Sequence, residues 1–110
     1  SAGVVAAATI EDLDEDAIAV ARKNYKSKFP DKAEDVDSWN DITFLNKAKV
    51  TSKGKITRTA LILLGKDEAE HFLNPADVKI RWKLVGDKND DIETLIFEFS
   101  GHLHAGNPLQ

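Results

Sequence analysis

The sequence predicts an α+β domain: three to four short helices followed by an antiparallel β-hairpin, in a winged-helix-like order. Three observations carry this. Helical spacing of apolar residues runs through 14–28 and 38–47, capping residues bracket an apolar run at 58–64, and strict alternation takes over from Val78. With 110 residues, 42% apolar and 31% charged, the chain has the length of one domain and the composition of a globular one. No apolar run approaches the ~20 residues of a membrane span, and nothing at the start reads as a signal peptide. Cysteine is absent, which excludes disulfides and thiolate chemistry and fits a cytoplasmic protein. The expected layout is a linker at 1–8, one α+β domain at 9–100 belonging to a larger protein, and a flexible tail at 101–110.

Each element has a local reason. Thr9 or Asp12 opens a capped region. Asp14, Glu15 and Asp16 place negative charge at a helix start, and Lys26 and Lys28 place positive charge at its end, so a helix is predicted over 14–28. Ile18, Ala21, Tyr25 and Phe29 form its apolar face, and Pro30 stops it. Residues 30–37 read as a polar connection. Ser38 with Asp41 resembles a capping box, giving a helix over 38–47 with Ile42, Leu45 and Ala48 buried and Trp39 folded back over them. Lys53-Gly54-Lys55 is a turn. Thr57 caps a helix over 58–64, and Gly65 suits its C′ position. A further turn opens at Asp67, runs through Phe72 and stops before Pro75.

The last third alternates. Val78, Ile80, Trp82 and Leu84 share one face of a predicted strand, and Leu95, Phe97 and Phe99 share one face of another over 94–100. An antiparallel register pairs Leu84 with Leu95, Trp82 with Phe97 and Ile80 with Phe99, and sets Arg81 opposite Glu98.

Charge is unevenly spread. The net is −4, yet residues 46–66 carry six bases (Lys47, Lys49, Lys53, Lys55, Arg58, Lys66) and no acid. Such a segment attracts phosphates. Lys47, Lys49, Lys53, Lys55 and Arg58 are therefore the candidate nucleic-acid contacts. The plainer alternative is a solvated loop, since lysine sits at little cost on any surface. The overall acidity argues against tight DNA binding by this chain alone.

Catalytic signatures are missing. Gly54 and Gly65 stand alone, so no phosphate-cradling loop exists. His102 and His104 lack a third ligand nearby. His71 reads as a partner for neighbouring carboxylates, and the acids at 11–16 read as helix capping rather than a cation loop. No cofactor, metal site or catalytic residue is expected.

Asp12-Leu13-Asp14, Leu45-Asn46-Lys47, the stretch Gly54 to Lys66 and Pro75-Ala76-Asp77-Val78-Lys79-Ile80 carry a resemblance. Together they resemble the region that follows the Schlafen/Alba-like divergent AAA domain in prokaryotic RecG-related ATP-dependent DNA helicases and transcriptional regulators. The likeness spans residues 9–100 and rests mainly on 54–66. Thr59-Ala60 stands where that family often has Ala-Gly, and Leu64 where Phe is common. The resemblance implies a non-catalytic module of such a protein, assisting association with DNA or RNA. Helicase motifs are absent from these 110 positions. The alternative is a scaffolding or dimerisation domain, a homo-oligomer without nucleic-acid contact.

Overall fold

In the computed structural model, residues 3–85, 94–97 and 99 are described. A 3-10 turn at Ile10–Asp12 leads into α1 (Glu15–Lys28). A second turn at Pro30–Lys32 leads into α2 (Ala33–Ser38), followed by α3 (Asp41–Lys47) and α4 (Arg58–Leu64). The turn Asp67–Phe72 then precedes α5 (Pro75–Val85).

The caps explain the boundaries. Thr9 and Asp12 form a reciprocal capping box. Asp14 accepts from the Asp16 and Ala17 amides and starts α1. Phe29 ends it, with Pro30 beginning the next turn. The stretch expected to be a loop over 30–37 is largely helical, because Pro at the first position and acids in the first turn suit a helix start. Ser38 closes α2, its hydroxyl donating to the Asp35 carbonyl at 2.6 Å. Asn40 takes the capping role expected of Ser38, accepting from the Thr43 amide at 2.8 Å. Thr57 caps α4 as expected, receiving the Ala60 amide at 3.0 Å.

The β-hairpin is overturned. Among the described residues no β-strand or hairpin exists, and the winged-helix-like arrangement falls with it. Residues 78–84, expected as the first strand, lie within α5. Residues 94–97 and 99, expected in the second, are helical as well. Asn74 decides the matter locally. Its side chain accepts from the Asp77 amide at 2.8 Å, its carbonyl from the Val78 amide at 3.1 Å, and Pro75 occupies the first helical position. Pro75 therefore starts a helix instead of only ending a turn.

The expected register fails accordingly. Trp82 and Phe97, predicted to pair on a buried face, are 64% and 79% exposed. Arg81 meets Asp67 and Glu70 (Glu98 lies outside the described residues). The alternation misled because the inward side of α5 carries charge. Asp77 and Arg81 lie one turn apart and are drawn inward with Leu84. Leu95 and Phe99, four apart, are both buried, which is helical spacing.

One core gathers Leu13, Ile18, Tyr25, Val36, Phe44, Leu45, Val50, Ile56, the whole of Ala60–Leu64, and Leu84. Ion pairs and backbone bridges close it. Arg22 of α1 donates to the carbonyls of Val36 and Trp39 at 2.7 and 2.8 Å, pairs with Asp41 at 2.7 Å, and lies 5.0 Å over the Phe44 ring. It ties α1, α2 and α3 together. Residues 3–8, expected as a linker that orders only if docked, are docked. Val4 bridges Thr57, the Val5 amide reaches the Ile56 carbonyl at 2.9 Å, and Ala8 is buried.

Gly65 ends α4, though not by the left-handed conformation expected of a C′ glycine. Its backbone is extended, with φ −68° and ψ 151°. Space explains it: a Cβ there would sit 2.4 Å from the Leu61 carbonyl oxygen. The tight fit lets Gly65 bridge Leu13, with Asp14 and Lys66 amides bonded across at 2.8 and 2.9 Å.

Two substitutions test these joints. Gly65→Ala is expected to lower unfolding free energy by about 2 kcal/mol or more in urea titration, because the clash is with backbone. Arg22→Ala should lower it by about 1–3 kcal/mol, because the Trp39 carbonyl loses its donor and Asp41 its counter-ion while the Val36 carbonyl keeps the Trp39 amide, and Arg22→Lys should recover only part, lacking the fork.

Candidate nucleic-acid interface

The candidate basic residues sit on the connection between α3 and α4. Lys47 occupies the last turn of α3, its ammonium 5.5 Å from the Trp39 ring centroid. Lys49 follows the helix end. The Val50 amide reaches back to the Leu45 carbonyl at 2.9 Å and the Lys49 amide to Asn46 at 3.0 Å, the paired bonds of a Schellman motif. Lys49 holds the left-handed position, φ 65°, where glycine is usual.

Lys53 repeats the pattern. Ser52 and Lys55 exchange both backbone bonds, at 3.0 and 2.9 Å, across Lys53 and Gly54 with φ of 54° and 78°. Positive φ at both central residues marks a type I′ turn, which favours Asn-Gly. The turn expected at Lys53-Gly54-Lys55 is present, with a lysine at its strained first position.

The polar residues beneath hold this loop. The Asn46 side-chain oxygen accepts from the Thr51 hydroxyl and from the Gly54 amide at 3.1 Å. The Thr57 hydroxyl donates to the Val50 carbonyl while capping α4. Ala48, Val50, Thr51 and Ile56 are buried, whereas Lys47, Lys49, Lys53 and Lys55 are all exposed. Buried residues between them fix the backbone and leave the four lysines exposed, the Lys47 ammonium over the Trp39 ring.

Arg58 does not join them. Its Nε lies 3.2 Å from Oδ2 of Asp77, whose side chain is 6% exposed. That oxygen has no hydrogen bond, so the guanidinium acts as its counter-ion. An unpaired buried carboxylate costs several kcal/mol, and this need outweighs a phosphate contact. Sequence reasoning missed the pair because nineteen positions separate its members. It also missed Arg22, which no local pattern marks.

The other candidates resolve as structure. The acids at 11–16 cap helices. His71 bonds through Nδ1 to the Glu68 carbonyl at 2.8 Å and stacks on Phe72, where a carboxylate partner was expected. His102 and His104 lie outside the described residues. Among the described residues no group of three or more His, Asp or Glu could hold a metal ion, and no helix is long and apolar enough to cross a membrane.

Residues 1–77 match the domain of unknown function DUF8451, and the chain belongs to that family. No curated protein and no solved structure matches it.

If Lys49 and Lys53 carry avoidable strain, relieving it stabilises the fold. Lys49→Gly and Lys53→Asn are each expected to raise unfolding free energy by about 0.5–1 kcal/mol, read as a higher urea midpoint at unchanged slope.

Proposed function

We propose that this chain is a non-catalytic, cytoplasmic module that assists nucleic-acid association through Lys47, Lys49, Lys53 and Lys55. One observation carries the reading: four exposed lysines occupy nine residues without an acid, two of them at left-handed positions that glycine or asparagine fills at lower cost. Strain retained at an exposed residue points to a use for its side chain. A long cation on a fixed backbone suits phosphate oxygens, which accept lysine as a point charge. The arrangement offers no planar donors to base edges, so the contact is sequence-independent. DNA or RNA is the ligand that the RecG-related resemblance implies, and phosphate is what these lysines would meet in either.

The test is fluorescence anisotropy of labelled oligothymidine and of a labelled duplex, titrated at low and rising salt. Binding is expected, with a log–log salt slope no steeper than about −2.8 for oligothymidine and about −3.6 for the duplex, the limits for four phosphate contacts. Lys53→Glu with Lys55→Glu should weaken it about tenfold or more and flatten the slope. Absence of binding at low salt, or binding indifferent to the double substitution, would sink the proposal.

A further inference from the structure

Trp82 does nothing for the core or for the lysine loop, yet it is held in place. It is 64% exposed on α5, and its indole N–H donates to Glu70 Oε2 at 2.8 Å. Glu70 is itself bonded to Arg81, which also reaches the Gly65 carbonyl at 2.6 Å. The ring is thus fixed by a network rooted in the fold, so little rotamer entropy is lost when something covers it. A hollow of about 240 Å³ lies beside it, lined by Asp67, Arg81, Trp82 and Val85. A rigid, amphipathic aromatic beside a hollow has the make-up of an interface anchor.

The surrounding charges identify the occupant. Lys79 and Lys83 are exposed one turn apart on α5, Lys79 one turn before Trp82 and Lys83 next to it in the chain, and Asp67 and Glu68 are exposed on the adjoining turn. With Arg81 and Glu70 included, three bases face three acids, so the patch has no net charge to attract a polyanion. Both signs side by side make it self-complementary: rotated by a two-fold axis, its lysines can meet the carboxylates of an identical patch.

We propose that α5 and the Asp67–Phe72 turn form the isologous interface of a homodimer centred on Trp82. The occupant of the face is a second copy of this chain. The proposal is independent of the lysine loop.

Sedimentation equilibrium of the full chain over a wide concentration range tests it. A reversible monomer–dimer equilibrium is expected. Trp82→Glu should raise its Kd about thirtyfold or more, the loss typical of a central aromatic anchor, with an unchanged far-ultraviolet circular dichroism spectrum. Lys79→Glu with Lys83→Glu, which touches no core residue, should also weaken the dimer and keep the test open if the first variant unfolds. A chain monomeric at every concentration overturns the proposal, as does a dimer that survives both variants. A monomer whose fluorescence in a Trp39→Phe background, where Trp82 alone emits, is quenched by oligothymidine overturns it in favour of base stacking.

Discussion

A helix with no polar face sets the terms for this fold. Ala60, Leu61, Ile62, Leu63 and Leu64 are each 2% exposed or less, so α4 is buried all round from its third residue to its end. Each large side chain is worth about 2 kcal/mol once covered, and the gain grows with the area covered, so full cover on every side captures the most. The rest of the chain supplies the cover. Residues 3–5 run beside the start of α4, Leu13 crosses its end at Gly65, and α5 packs along it. A helix of seven residues is too short to be stable alone in water, so it exists because its surroundings enclose it. The segment Gly3–Ala8, which by sequence resembles a loose end, is ordered for this reason.

The same demand explains the charges on α5. Packing along α4 draws Asp77 and Arg81 out of solvent, and each then needs a partner. Arg58, the first residue of α4, meets Asp77, while Asp67, Glu70 and the Gly65 carbonyl meet Arg81. Removing one member of such a pair leaves an uncompensated buried charge. The pairs therefore fix how α5 sits on α4 more sharply than Leu84 and Ile80 do, since apolar contacts tolerate sliding and ion pairs do not.

Helix starts were readable where a side chain bonds the backbone two or three residues on. Asp14 and Thr57 act within their own turn, and both boundaries follow from the residues themselves. The turn at Lys53-Gly54 was readable too, because a lone glycine between two lysines marks a turn. What depends on partners far along the chain was not. Val78 to Leu84 alternate apolar and polar in strand fashion, and only the distant Arg58, Asp67 and Glu70 make Asp77 and Arg81 acceptable inside. Asn74-Pro75 was the available local signal, because proline after a capping asparagine opens helices as readily as proline closes them. At the candidate site, the basic composition of 46–66 was legible in full. The engagement of Arg58 was not, nor was the left-handed backbone of Lys49, since its C′ position normally announces itself by glycine.

The charge distribution bears on how such a module could act. The chain is acidic overall, and its lysine loop presents four unit charges against a net of −4. In physiological salt, exposed charges separated by more than about 8 Å are largely screened from one another, so the loop acts on its immediate surroundings. Four phosphate contacts give weak binding at that ionic strength. On the proposed reading, a single copy then binds nucleic acid weakly. Two copies joined at α5 would bring two lysine loops onto one strand, making the second contact intramolecular. Effective concentrations in the millimolar range typically convert two weak contacts into one useful affinity. The proposed dimer contact and the proposed phosphate contact fall on different surfaces, α5 with the Asp67–Phe72 turn for one and residues 47–55 for the other. The neutral, aromatic patch suits protein–protein closure and the acid-free loop suits phosphate, so neither surface has to be compromised for the other.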